Sequence, residues 1–104
     1  LQRLADDLHA RQGLEVEVRA CDLADREARA TLRAELAGRD ICILCNNAGF
    51  ATFGRIRDLD PAREIEQVEL NAVAVHELTL AVLPQMLARG EGALLITGFL
   101  NLWR

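Results

Sequence analysis

Two adjacent amides, Asn46 and Asn47, followed by Ala48 and Gly49, close a short apolar run from Ile41 to Cys45. An asparagine carries donor and acceptor together, while alanine and glycine let backbone come close to whatever lies against it. The apolar run has no polar alternation, so it reads as a strand covered on both faces, in the middle of a parallel sheet. Open α/β sheets gather their ligands at the carboxyl ends of such strands. Asp22, followed by Leu23, stands in the same way after the alternating run Leu14 to Ala20. It can begin a turn, cap the next helix or meet a ligand. Asn71 lies in a helical stripe between Leu70 and Ala72, where an amide competes with backbone hydrogen bonds.

Other reactive residues point away from metal and redox chemistry. Cys42 and Cys45 have Cys-x-x-Cys spacing, but residues three apart on a strand face opposite sides. They read as small buried hydrophobes, and an odd total of three cysteines is no disulfide framework. His9 and His76 are isolated, so no metal site is expected. The chain contains no serine, tyrosine or lysine, and its twelve basic residues are all arginine.

A chain of 104 residues makes one domain at most, near the small end for an α/β core. The net charge of −4 disfavours a nucleic-acid partner, since such surfaces are usually basic. No apolar run approaches the ~20 residues that cross a bilayer, and no signal peptide opens the chain. No membrane association and a cytoplasmic location are the default expectations.

The elements that must hold these residues follow from spacing and punctuation. Leu1, Leu4, Ala5 and Leu8 predict a helix stopped at Gly13, with no capping residue before it. Leu14 to Ala20 alternates, as a strand at a sheet edge would. Asp25 can cap a helix whose inner face is Ala28, Leu32 and Leu36, stopping at Gly38. The strand Ile41 to Cys45 follows, then a loop from Phe50 to Leu59. Asp60-Pro61 starts a long helix, or two in series, on the stripe Ile65, Val68, Ala72, Val75, Thr79, Val82 and Met86. Pro84 is expected to bend its last turns. Ala93 to Thr97 reads as another buried strand, and Gly98 to Arg104 as a patternless tail. Alternating helices and strands predict an α/β fold with a parallel sheet.

With these elements placed, Asn46-Asn47-Ala48-Gly49 resembles the Asn-Asn-Ala-Gly motif of the short-chain dehydrogenase/reductase family, and the likeness runs from about Leu4 to Thr97. It implies a partial Rossmann-like parallel sheet in a three-layer αβα arrangement, holding family strands three to five with their intervening helices. Asp22 and Leu23 match the position that meets the cofactor's adenine ring. Asn46, Asn47, Ala48 and Gly49 match the segment that ties the central strands together and lines the adenosine side. Asn71 matches the asparagine of the catalytic Asn-Ser-Tyr-Lys tetrad, which helps hold a water in a proton relay. The resemblance implies NAD or NADP as cofactor, with a slight preference for NADP, and a small alcohol or carbonyl substrate. It also implies possible homo-oligomer contacts through helix 61–89.

The chain departs from the pattern at the rest of the tetrad. Tyrosine, lysine and serine are absent, and the serine should fall near Gly98 or Phe99. Thr97 occupies an ordinary strand position. The glycine-rich first turn is missing too, so residues 1–104 read as an incomplete dinucleotide-binding domain without that turn or a Tyr-x-x-x-Lys half. In the strand order 3-2-1-4-5-6, two strands belong between Leu14–Ala20 and Ile41–Cys45. A lone copy must leave that gap open or close it differently. The expectation is therefore a fragment of an NAD(P)-dependent oxidoreductase, inactive by itself. The alternative is a non-catalytic remnant that associates with intact relatives through the long helix. A flavodoxin-like or receiver-type binding module shares the alternation but not these motifs.

Overall fold

The computed structural model describes residues 1–98. Helix α1 (Gln2–Gln12) ends where Gly13 takes a left-handed φ of 66° and returns its N–H to the His9 carbonyl. Helix α2 (Arg26–Ala37) starts on Asp25, whose carboxylate accepts the Ala28 N–H at 2.7 Å. Asp60 caps the third helix in the same manner, with Pro61 at its first position.

That third helix runs unbroken from Pro61 to Arg89. It begins as α3 (Pro61–Val68), widens into a π-helical segment (Glu69–Ala74) and continues as α4 (Val75–Arg89). The π segment was not legible in the apolar spacing. Each extra residue in a turn rotates the following face by about 100° relative to a plain α-helix. The predicted stripe is therefore split. Ile65 and Val68 face out, while the buried row is Ala74, Leu78, Val82 and Met86. Pro84 sits within α4 without ending it.

Two strands, β1 (Ile43–Asn46) and β2 (Ala93–Ile96), pair in parallel with Ile43 opposite Ala93 and Asn46 opposite Ile96. Parallel pairing across an intervening helix is the α/β arrangement the alternation predicted. Gln85 fixes the approach to β1. Its Oε1 accepts the Ile41 N–H at 2.8 Å and its Nε2 donates to the Leu36 carbonyl at 3.2 Å. Arg89 donates to the Ile41 carbonyl at 2.7 Å and pairs with Asp40. Helix α2 packs on α4, and α4 on β1.

Three expectations about the strands need correction. Leu14 to Ala20 is no strand: among the described residues it has no ladder partner. An alternating pattern can fit a sheet, but only a neighbouring strand makes the ladder. Ion pairs hold the segment instead, Glu17 with Arg39 at 2.8 Å and Arg19 with Glu35 at 2.9 Å. Among the described residues nothing pairs with the other edge of β1. Second, β1 is not covered on both faces. Asn46 is buried and Leu44 half-buried, whereas Ile43 and Cys45 alternate onto an exposed face. Third, β2 is exposed throughout rather than buried. The Cα radius of gyration, 16.4 Å, exceeds the roughly 13 Å typical of a domain this size, as an open sheet requires.

The cysteines also differ from expectation. Cys42 and Cys45 are exposed thiols, not buried hydrophobes, because both lie on the uncovered side of β1 or just before it. Half-buried Cys21 has its thiol pKa raised by burial, with Asp22 and Asp25 adding to the effect. The helix Pro61–Arg89 is, by length and composition, apolar enough to cross a membrane, contrary to the sequence expectation. Its Glu69, Glu77 and Gln85 side chains bind α2 and its flanks, so here it serves as a core helix.

Candidate functional site

At the carboxyl end of β1 the amide pair Asn46 and Asn47 is held from the neighbouring strand. Thr97 follows β2 and donates its N–H and its hydroxyl to the Asn46 carbonyl, both at 3.0 Å. The same hydroxyl lies 2.9 Å from Asn47 Oδ1. Thr97 thus braces the amide pair from the neighbouring strand, and its oxygen is committed to structure. Asn46 is 7% exposed, yet its Nδ2 has no hydrogen-bond partner among the described residues. A buried N–H left unpaired costs about 1–3 kcal/mol, so this donor is open to an acceptor.

Asn46 lines a cavity of about 430 Å³ between α2, the 17–23 segment, β1 and the long helix. Leu23, Asn47 and Ala48 line it as well. Four of the six residues assigned to a cofactor from sequence therefore surround one space, whose volume is in the range of small-molecule sites. Asp22 and Gly49 stand outside that lining. The Asp22 carboxylate accepts the Ala24 N–H at 3.0 Å through Oδ1, an Asx turn that leads into the Asp25 cap. Its second oxygen remains for another donor, so both the turn and the ligand reading stand.

Asn71 is placed apart from that cavity, inside the π segment. It forms a reciprocal pair with the loop after Gly49: Nδ2 donates to the Phe50 carbonyl at 2.7 Å, and Oδ1 accepts the Phe50 N–H at 3.1 Å. An amide that satisfies both groups of one residue fixes that residue's position along the helix. Neighbouring contacts hold the same loop. Thr52 donates its N–H to Gln67 Oε1 at 2.8 Å and its hydroxyl reaches Glu64, while the Arg63 guanidinium lies 3.9 Å over the Phe50 ring. The widened turn and the asparagine amide together set where the chain leaves β1.

The residue that sequence reasoning missed is Arg29. It is fully buried in the first turns of α2. Its Nε donates to Glu77 and its NH2 to Glu69, each at 2.8 Å, and NH1 donates to the carbonyls of Leu23 at 2.8 Å and Ala24 at 3.3 Å. Burial works against its charge, but the two carboxylates outweigh that and raise its pKa. The hydrogen bond from Arg29 holds the Glu77 carboxyl below the usual glutamate range. The only signal in the sequence was an arginine beside Ala28 on the predicted inner face.

The position expected for the tetrad serine, near Gly98 or Phe99, falls partly outside the described residues, as does the tail through Arg104. Among the described residues no cluster of His, Cys, Asp or Glu is arranged to hold a metal ion.

A family model described as short chain dehydrogenase matches residues 1–99. Oxidoreductase UcpA of Salmonella typhimurium is 32% identical over 100 residues, covering 92% of this chain and 37% of its own. The very-long-chain 3-oxoacyl-CoA reductase of Anas platyrhynchos is 32% identical over 101 residues, covering 91% and 32%. A short-chain dehydrogenase from Sphingobium yanoikuyae, solved in complex with NADPH, superposes with a TM-score of 0.86 at 32% identity, covering 90% of this chain and 37% of that one. The chain thus spans about a third of the length of the relatives it matches.

Proposed function

Because the chain belongs to the short-chain dehydrogenase family, we propose that it forms the adenosine-side portion of an NAD(P)-dependent oxidoreductase acting on an alcohol or carbonyl. The observation that carries this reading is the unpaired, buried Asn46 Nδ2 on a cavity shared with Leu23, Asn47 and Ala48. Asp22 would take the adenine side with its second carboxylate oxygen, Leu23 would supply apolar contact, and Asn46 to Gly49 would line the ribose side. The cavity lies between the 17–23 segment and β1, in the gap that two further strands occupy in the order 3-2-1-4-5-6. Asn46 would then serve both a strand and the ligand at its end. When bound, the nicotinamide supplies or accepts the hydride.

In this reading Asn71 does not touch the adenosine. It holds the Phe50 backbone, and so sets the direction in which the chain leaves Gly49 toward a substrate. The donor set fits either nicotinamide cofactor, and the preference for NADP rests on complexes such as the Sphingobium enzyme with NADPH. Residues 1–104 would constitute an incomplete dinucleotide-binding domain, because they hold neither the glycine-rich first turn nor a Tyr-x-x-x-Lys half. Without a tyrosine held near a positive charge there is no general acid to protonate a carbonyl oxygen. The purified 104-residue chain should therefore show no NAD(P)H-dependent turnover. Carbonyl reduction above a no-protein control, followed by NADPH absorbance, would overturn that.

One observation favours the second reading, a non-catalytic partner of intact relatives. Ile65, Val68, Leu80 and Leu87 are all more than half exposed along the helix Pro61–Arg89. That outer row gives a helix–helix contact an apolar surface, in a second copy or in a full-length relative.

A further inference from the structure

Arg29 takes no part in the proposed chemistry, yet it is the most completely buried charge among the described residues. Its four partners fall into two groups that are remote in sequence. The carbonyls of Leu23 and Ala24 belong to the turn that presents Asp22. Glu69 opens the π segment, two residues before Asn71, and Glu77 lies in the first turn of α4. A guanidinium is planar and offers donors in a fixed fork, so moving one acceptor tilts it against the others. Arg26 and Arg33 flank the same carboxylates at 3.8 and 3.5 Å, with most or much of their surface exposed. They can neutralise charge, but they do not reach the turn carbonyls.

We infer that Arg29 is a positioning residue that sets the Asp22–Ala24 turn and the Asn71 π segment as one unit. The two ends of the site are then not adjusted separately. A shift of the turn is passed through one rigid fork to Glu69, and so to the widened helical turn that fixes Phe50. The cofactor side of this inference rests on the function proposed above, whereas the mechanical link does not.

Arg29→Lys keeps the charge and removes the fork, since a single ammonium cannot span both carboxylates and both carbonyls. In the full chain, backbone amide exchange should quicken about tenfold at Ala24 and Asp25 and also at Ala72 to Ala74, the factor that one lost charge-assisted hydrogen bond represents. Asp25→Ala is the control, because it weakens the start of α2 and leaves the fork in place. It should quicken the turn amides alone. Glu69→Gln, nearly isosteric, should move the turn amides in the same direction as Arg29→Lys even if the lysine variant folds poorly. The inference is overturned if Arg29→Lys loosens only the turn, or if Glu69→Gln leaves Ala24 unchanged. NADPH affinity, read by its fluorescence, should weaken in Arg29→Lys and Glu69→Gln together. If the wild-type chain has no NADPH affinity, the cofactor reading fails, while the exchange comparison still decides the link.

Discussion

Arg29→Ala should destabilise the chain by about 3 kcal/mol, the low end for breaking a buried ion pair by removing one partner. The low end applies because the carboxylates left behind, Glu69 and Glu77, each keep a quarter of their side-chain surface in water and can rehydrate. The turn carbonyls of Leu23 and Ala24 lose their guanidinium donor in the same change. Urea unfolding of wild type and variant would measure the difference, and a loss below about 1 kcal/mol would mean the pairing is no better than a surface one. Replacing all three charges, Arg29→Met with Glu69→Leu and Glu77→Leu, should recover only part of the loss. The carboxylates no longer need a partner, but the carbonyls still do.

The same cluster gives the protein a pH dependence of definite sign. The folded-state pKa of Glu77 is depressed, chiefly by the hydrogen bond from Arg29. Its contribution is therefore complete above the ordinary glutamate range and is lost as the pH falls through the lowered value. Glu17, depressed by its hydrogen bond with Arg39, acts in the same direction on the 14–20 segment. Arg29→Ala should flatten the first of these and leave the second.

Gly92→Ala is the other substitution with a large expected effect, about 1–3 kcal/mol of overpacking. A Cβ on Gly92 would stand 2.6 Å from Met86 Cγ, 2.7 Å from Sδ and 2.8 Å from Cβ. Moving the thioether end is not enough, because the Met86 Cβ is fixed by the backbone of α4. Either the helix or the start of β2 at Ala93 has to shift. The double variant Gly92→Ala with Met86→Ala separates this clash from a simple intolerance of the loop. It relieves the contacts to Cγ and Sδ, so thermal melts should show the Gly92→Ala increment shrinking in the Met86→Ala background. Increments that add without change would leave the cost with the contact to the Cβ that Met86→Ala keeps, or with the loop itself.

Much of the fold was legible because short-range chemistry decides where helices begin and end. Asp25, Asp60-Pro61, Gly13 and Gly38 each act on backbone groups within a few residues, and the helices start and stop beside them. The two strands of the sheet were legible from their apolar runs. What was lost depends on partners distant in sequence. Alternation in Leu14–Ala20 says that a strand would be comfortable, not that a neighbour is present to pair with it. Continuous apolarity in β1 and β2 suits cover on both faces, whereas Ile43, Leu95 and Ile96 are exposed on this chain. A π segment leaves no trace in three-and-four spacing, so the helix stripe was assigned to one face although two are used.

The site followed the same division. The Asn46 to Gly49 segment and Asn71 stand out in the sequence because their residue types are unusual where they stand. Arg29 was not, because an arginine in a helix ordinarily reaches solvent and its burial depends on Glu69 and Glu77, forty and forty-eight residues further on. Leu23 and Asn46 meet on one cavity only because α2 and the long helix bring the two turns to the same end of the sheet.

Thermal unfolding with and without NADPH tests the proposed adenosine side of the nicotinamide cofactor site. A ligand that binds the folded chain alone raises its stability by about 2.7 kcal/mol at a hundredfold excess over Kd. If the site is present, the melting temperature should rise with NADPH concentration and rise much less in Asn46→Leu, which keeps the site buried but removes the unpaired donor. A melt indifferent to NADPH at millimolar concentration, or a shift that Asn46→Leu leaves intact, would contradict it.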